Sequence, residues 1–250
     1  YTNDKEAKQT FKHTFKNERV TAKISLQKQD KETKKAVSQG DATLEKAVYG
    51  LYAREDIVHP DGATGVVYKA GEQVATLTTD KNGQASVDGL YLGNYYVKEI
   101  TPPTGYLVDE EEHDLVCNYE GDLVAEVKRD CLSLEQVMKQ PFQIIKAANN
   151  GKTDADLLKG AGFTAYLVSS LKVNEDGSYD FDSAKPVVIG ENGATEIFTD
   201  EKGYACSIAI PYGTYIVRET TTPHNYTPVD DFIVQITENH PSTPQVWRVM

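Results

Sequence analysis

The chain of 250 residues is long enough for two domains of ordinary size, and its 15 tyrosines, with abundant Thr and Val, suit half-buried pleated strands. A formal net charge of -12 argues against nucleic acid or an anionic membrane as a partner, because both need a basic surface. No apolar run approaches the roughly 20 residues that cross a bilayer, so we predict no membrane segment within the chain.

The chain begins with a predicted strand at Thr10–Val20, with the sequence TFKHTFKNERV. We interpret residues 1–18 as an extra N-terminal strand or as the end of a preceding domain. The opening letters YTNDKEAK favour a segment taken from a longer chain.

Two copies of one sequence pattern follow. The segment TTDKNGQASVDGLYLGNYYVKEITPPTGYLVD begins at Thr78, and FTDEKGYACSIAIPYGTYIVRETTTPHNYTPVD begins at Phe198, a shift of 120 positions (198 − 78 = 120). Such self-similarity indicates a tandem repeat of one small domain. We place the first domain at residues 19–133 and the second at residues 134–250, and we expect the last strand of the second to be truncated.

Turn and strand signals alternate within each copy. DKNG and DEKG are hairpin-type turns, YYVKEI and YIVRET alternate with a period of two, and the prolines of TPPTGY and TTPHNY end those strands. Only Ser133–Lys139 (SLEQVMK) suggests a helical turn, with Ser133 and Gln136 as a weak capping box. We therefore predict an all-β chain of two tandem β-sandwich domains, with the boundary near this segment.

Each copy places one lysine and one glutamate on a face that is otherwise apolar. A period of two groups Lys28 with Ile24 and Leu26, and Glu99 with Val97. The corresponding residues of the second copy are Lys146 and Glu219. An unpaired charge on such a face costs free energy, so the pattern needs an explanation.

Three interpretations of these residues remain open. The lysine could extend its amine to solvent while the glutamate turns outward at a bulge. The two could form a plain buried ion pair. In the third interpretation, burial lowers the pKa of the lysine and raises that of the glutamate, which leaves a nucleophilic amine beside a proton donor. Such an amine can attack the side-chain carbonyl of a nearby Asn or Asp and form an amide once.

The cysteines point to neither a disulfide framework nor a metal site. Cys117, Cys131 and Cys206 are odd in number and have no CxxC spacing, so we predict no zinc site and no other metal site. A bridge between Cys117 and Cys131 would need neighbouring strands. The simpler interpretation is three buried or half-buried free thiols.

Several motifs together carry a resemblance to a known family. They are the first-strand lysines of SLQKQDKET and IIKAANNGK, the strands AVYGLY and AGFTAY, and the segments YYVKEITPPTGY and YIVRETTTPHNY. Over nearly the whole chain, as two copies, the sequence resembles the CnaB-type or SpaA-type domains of Gram-positive pilins and cell-wall adhesins. The resemblance implies transthyretin-like or inverse-immunoglobulin-like sandwiches. It also implies an isopeptide bond from the first-strand lysine to an Asn or Asp on the last strand, assisted by the E-box glutamate.

The resemblance implies a role for each of the paired residues. Lys28 and Lys146 correspond to the nucleophiles, and Glu99 and Glu219 to the acid/base groups. For the first acceptor we select Asp130 on the predicted last strand, Asp122–Cys131, because a period of two counted from Val124 reaches it. Glu135 is placed in the linker.

The other acceptors are expected at the edges of the chain. The second copy has no Asn or Asp near the end of TPQVWRVM, so we expect its acceptor beyond Met250. Asn17 holds the family's acceptor position for a preceding domain. This pattern favours an array of such domains.

The sequence favours a structural stalk segment of a bacterial surface protein or pilin, extracellular and anchored to the cell wall by a signal outside this chain. Its expected partners are neighbouring domains of the same array. The alternative is an adhesin module for a host matrix protein or glycan, with the acidic loop Asn174–Lys185 as a candidate surface, although that loop also fits a solvated hairpin insertion. We predict no cofactor and no turnover enzyme, because no catalytic motif joins the five histidines.

Overall fold

A computed structural model describes residues 18–149, 156–238 and 244–250, and it confirms an all-β chain of two tandem β-sandwich domains. No helix in these described ranges is long and apolar enough to cross a membrane.

Domain 1 is built from two main sheets and a small hairpin. Its strands are β1 (Thr21–Asp30), β2 (Val48–Ala53), β3 (Ile57–Val58), β4 (Val66–Tyr68), β5 (Gln73–Thr78), β6 (Gln84–Leu90), β7 (Gly93–Thr101), β8 (Glu112–Cys117) and β9 (Glu126–Glu135). One sheet has the order β6-β1-β9 and the other β5-β2-β7-β8, while β3 pairs with β4. The core lies between the two main sheets, and buried residues alternate with less buried ones along β1 and along β7 from Tyr95 to Glu99.

The first and last strands of domain 1 lie side by side. β1 pairs with β9 in parallel, and the register sets Lys28 opposite Ser133 and Asp30 opposite Glu135. The even-numbered residues of β1, from Ala22 to Asp30, are buried. Strict alternation therefore carries Lys28 into the core beside Leu26, as the sequence pattern predicts.

Domain 2 repeats this arrangement with shorter strands. They are β10 (Lys139–Gln140), β11 (Phe142–Lys146), β12 (Gly162–Leu167), β13 (Lys172–Val173), β14 (Tyr179–Asp180), β15 (Glu196–Phe198), β16 (Tyr204–Cys206), β17 (Ile210–Pro211), β18 (Gly213–Thr221), β19 (Phe232–Ile236) and β20 (Gln245–Val249). Two short 3-10 turns lie at Val168–Ser170 and Glu191–Gly193. The sheets are β16-β11-β20 and β15-β12-β18-β19, with pairs β10-β17 and β13-β14.

The structure tests three local predictions, with different outcomes. Strands β13 and β14 form a hairpin within the acidic insertion, which confirms the hairpin interpretation of that loop. The helical turn predicted at Ser133–Lys139 is wrong, because β9 continues to Glu135, two residues past the expected boundary, in register with β1. The interpretation of free, buried thiols is confirmed for Cys117 and Cys131, which form no bridge, but it is wrong for Cys206, which is free and exposed.

The two domains contact each other through a loop of domain 1 and the turn between β17 and β18. The backbone amide of Asp41 donates to the Tyr212 carbonyl at 2.9 Å, and the amide of Thr214 donates to Asp41 Oδ2 at 3.1 Å. The amide of Tyr212 donates to the Met138 carbonyl at 2.8 Å. A small apolar cluster completes the junction: Ala42, Leu44, Tyr106, Val137 and Tyr212.

At Gly40 the backbone of domain 1 packs tightly against the backbone of domain 2. The φ of Gly40 is +59°, and a Cβ there would lie 2.2 Å from the Tyr212 carbonyl oxygen. We expect Gly40→Ala to open the junction, seen as faster hydrogen exchange at the Asp41 and Tyr212 amides. Gly62→Ala is the matched control, because Gly62 has a φ of +69° with nothing within 4 Å of its Cβ position. Equal exchange in both variants would contradict this role of Gly40.

Candidate functional site, a buried lysine–glutamate cluster

Lys28 lies at the centre of the candidate site in domain 1. Its side chain is 0% exposed, and no turn of β1 carries the amine to solvent. The Nζ atom contacts Glu135 Oε2, and it lies 3.2 Å from Glu99 Oε1 and 3.4 Å from the Tyr49 hydroxyl. The interpretation in which the lysine snorkels outward therefore does not hold here.

Glu99 approaches the lysine from the facing sheet. It lies on β7, where its register partner on β2 is Tyr49. Its Oε2 accepts a hydrogen bond from the Asp109 backbone amide at 2.7 Å, so the carboxylate is held from two sides. Glu99 and Lys28 thus meet across the two sheets, at the distance of a direct proton transfer.

Glu135 supplies a second carboxylate from the last residue of β9. The Tyr49 hydroxyl donates to Glu135 Oε1, and Ser133 Oγ lies 3.2 Å from the same oxygen. Glu135 is 1% exposed. The cluster therefore joins the first strand, the last strand and the facing sheet through Lys28, Glu135 and Glu99.

A hydrogen-bond chain leads from this cluster towards the surface. Ser133 Oγ donates to Asp109 Oδ2 at 3.1 Å, and that oxygen lies 2.9 Å from His113 Nε2. The ligand atoms of Asp109, Glu111 and His113 lie within 4.8 Å of one another. Because Asp109 is already engaged by Ser133 and His113, we assign this group to the hydrogen-bond network.

Burial changes the proton affinities at the site. It lowers the pKa of Lys28 to about 8, although the charge of Glu99 opposes the shift. Burial also raises the pKa of Glu99, against the hydrogen bond from the Asp109 amide and the charge of Lys28. Burial therefore favours the uncharged forms of both groups, and the uncharged amine is the form that acts as a nucleophile.

The predicted acceptor Asp130 does not join this cluster. Asp130 is exposed, and its register partner is Ser25 on the outward face of β1. The error is one of phase, since Val124 precedes the start of β9 and the buried phase of the strand runs through Val127 and Cys131 to Glu135. The residue that the sequence assigned to the linker is the one that meets the lysine.

Domain 2 brings its own lysine and glutamate together. Lys146 Nζ lies 3.1 Å from Glu219 Oε2, and the amide of Val229 donates to that oxygen at 2.8 Å. The Lys146 and Glu219 side chains are 2% and 0% exposed. Glu219 Oε1 is buried and has no hydrogen-bond partner within the described ranges.

The surroundings of the domain 2 pair are apolar. Three apolar residues replace polar groups of domain 1. Phe163 pairs with Glu219 where Tyr49 pairs with Glu99. Val249 pairs with Lys146 where Ser133 pairs with Lys28, and Val229 takes the place of Asp109. Comparing AVYGLY with AGFTAY reveals the Tyr49 difference from sequence alone.

The remaining expected acceptors have no described geometry. Asn17 lies outside the described residues. In domain 2, the last-strand residue that pairs with Lys146 is Val249, which has no side-chain carboxyl or amide group.

Comparison with protein families and solved structures identifies relatives of the two domains. The family described as the SpaA prealbumin-like fold domain matches twice, at residues 22–130 and 141–247. Among curated proteins, none matches the chain. The Bacillus anthracis TIE protein is 21% identical with a TM-score of 0.54, over 92% of this chain and 33% of that one. The chain therefore spans about a third of that protein.

Pilin structures also align with the chain. The shaft pilin spaA from Lactobacillus rhamnosus GG is 16% identical with a TM-score of 0.32, over 92% of this chain and 97% of that one. GBS52, the minor pilin of Streptococcus agalactiae, is 15% identical with a TM-score of 0.35, over 91% and 95%. The two family matches cover most of the sequence, and this chain therefore belongs to the SpaA prealbumin-like domain family, with two tandem domains.

Proposed function

We propose that the chain is a stalk segment of a Gram-positive surface protein, extracellular and anchored to the cell wall, in which an amide bond ties Lys28 to Glu135. The observation that carries the proposal is the contact of Lys28 Nζ with Glu135 Oε2 in a site closed to solvent. Membership of a family that includes shaft and minor pilins among its structural relatives supports the stalk role.

The reaction needs only groups of this chain. The lone pair of Lys28 Nζ attacks Cδ of Glu135 in its acid form, and the carbon–nitrogen bond forms. Glu99, in its acid form, gives its proton to the departing hydroxyl and takes one from the nitrogen. One carbon–oxygen bond breaks and one water molecule leaves. The product is a secondary amide, and Glu99 is restored.

Desolvation favours the reactive protonation state. An amine next to a carboxylic acid has the same number of protons as an ammonium next to a carboxylate, and a site of low polarity stabilises the uncharged form relative to water. Glu135 is one methylene longer than the family's Asn or Asp acceptor. Ser133 is the residue that pairs with Lys28, and Glu135 lies one residue pair beyond it, so the longer side chain has room to turn back to Lys28.

The tie would close nearly the whole of domain 1 into a ring. Its two ends lie on β1 and β9, the strands through which the chain enters and leaves the domain. Force applied along the chain would then pass through the amide and not through the sheets. The hydrogen-bonded junction with domain 2 supports neighbouring domains as the partners of this segment.

We propose the same chemistry for domain 2, with Lys146 as the nucleophile and Glu219 as the acid/base group. The buried pair at 3.1 Å supports this assignment. Glu219 Oε1 has no hydrogen-bond partner among the described residues and is available to an acceptor group.

Intact mass and peptide mapping test the tie in domain 1. We expect the 250-residue chain to be lighter by one water molecule for the Lys28–Glu135 bond, with a branched peptide that contains both residues. Lys28→Arg and Glu99→Ala should lack that branched peptide, because they remove the nucleophile and the proton shuttle.

Lys146→Arg is the matched control in the same assay. It removes the other buried lysine and should leave the Lys28–Glu135 peptide unchanged. A wild-type chain at its full calculated mass, with Lys28 in an unbranched peptide, would refute the tie.

A further inference from the structure

The lysine–glutamate pair alone does not explain why the hydroxyl of Tyr49 is buried against Glu135. It donates to Glu135 Oε1, the oxygen of the carboxyl group that does not face Lys28, while Lys28 Nζ contacts Oε2. As the amine attacks Cδ, one oxygen leaves as water and the other carries the developing negative charge. Oε2 faces the attacking amine, so we assign Oε2 as the leaving oxygen and Oε1, which accepts from Tyr49, as the oxygen that becomes charged.

We propose that Tyr49 is a catalytic residue of domain 1, the donor that stabilises the oxyanion on Glu135 during amide formation. This inference rests on the proposed Lys28–Glu135 reaction. A fixed donor in a site without water stabilises developing charge strongly, because it needs no reorganisation when the charge appears.

The neighbouring groups leave the hydroxyl hydrogen of Tyr49 free to be donated to Glu135. Burial alone would raise the pKa of Asp109, but the hydrogen bonds that Asp109 accepts outweigh burial and lower this pKa. Asp109 is therefore a carboxylate, and it accepts the hydroxyl hydrogen of Ser133 at 3.1 Å. Ser133 Oγ, 3.0 Å from the Tyr49 hydroxyl, then fixes the position of that hydroxyl. Burial raises the pKa of Tyr49 and the charge of Glu99 raises it further, so the phenol keeps its proton.

Domain 2 shows that the fold does not need this hydroxyl. Phe163 occupies the equivalent register position and is 0% exposed, as Tyr49 is. A tyrosine kept for packing would be replaceable by phenylalanine without effect on the chemistry. The exchange Tyr49→Phe is therefore compatible with the sandwich and removes only the donor.

The test measures how fast the full chain closes. Cell-free synthesis in a short pulse, followed by acid quenching at intervals, gives the fraction of chains that have lost water and carry the Lys28–Glu135 peptide. We expect Tyr49→Phe to slow closure by about a hundredfold, the usual effect of losing one oxyanion donor. Ser133→Ala should slow it less, because the Tyr49 donor remains.

A second variant separates chemistry from packing. A fluorotyrosine at position 49 keeps the ring and hydroxyl but makes the phenol a stronger donor, so closure should become faster than in the wild type. Wild-type rates in both Tyr49→Phe and the fluorotyrosine chain would overturn the role of Tyr49 and leave the tie intact. Absence of water loss in the wild type would overturn the tie itself, and the role of Tyr49 with it.

Discussion

Glu135→Ala is expected to lower the free energy of unfolding of domain 1 by about 4–5 kcal/mol, the chain-entropy value for a cross-link that closes a loop of about a hundred residues. The variant keeps Lys28 beside Glu99, so the buried amine retains a partner at 3.2 Å. The loss therefore reflects mainly the larger freedom of an unfolded chain that is no longer a ring.

The chain contains separate probes for its two domains. Cys117 and Cys131 are buried in domain 1, so pulsed thiol labelling in increasing denaturant, read by mass spectrometry of their peptides, follows that domain. Trp247, the single tryptophan, lies on β20, so its fluorescence follows domain 2. In Glu135→Ala the labelling midpoint should fall while the fluorescence midpoint stays nearly constant.

Asp130→Ala is the control that decides between the two candidate acceptors. Asp130 lies on the same strand but is exposed, and such a surface change should alter stability by less than about 0.5 kcal/mol. A large loss in Asp130→Ala with little change in Glu135→Ala would restore the acceptor chosen from the sequence and refute the one assigned from the structure.

The sequence allowed the fold and half of the site to be predicted. The repeat and the period-two strands led to two sandwiches, and the same periodicity put Lys28 and Glu99 on the buried face, where the structure brings them together. Both inferences depend on regular strands in which each residue's direction follows from its neighbours.

The acceptor could not be read in this way, because β9 does not begin where its apolar residues suggest. Counting from Val124 set the phase one residue off, and a shift of one residue moves every side chain to the other face. The end of the strand was equally hidden, since Ser133 to Gln136 also fits a capping box. Pairing with β1 keeps the segment extended to Glu135, and such long-range pairing is not visible in a local pattern.

Pulling the chain from its two ends should give the clearest mechanical contrast. In the wild type, the residues between positions 28 and 135 are enclosed by the tie, so domain 1 should not lengthen under force. In Glu135→Ala they are released, and the 107 steps between those positions (135 − 28 = 107) add roughly 350–380 Å of extended chain. Single-molecule force spectroscopy resolves an event of this size.

Domain 2 provides an internal reference in each pulled molecule, because neither variant touches Lys146 or Glu219. Its extension should be the same in wild type, Glu135→Ala and Asp130→Ala, while the domain 1 event appears only in Glu135→Ala. Lengthening of domain 1 in the wild type at the force that unfolds Glu135→Ala would mean that the buried cluster is an ion pair and not a bond. The stalk function would then depend on noncovalent contacts, namely the buried ion pair, the packed core and the sheet hydrogen bonds.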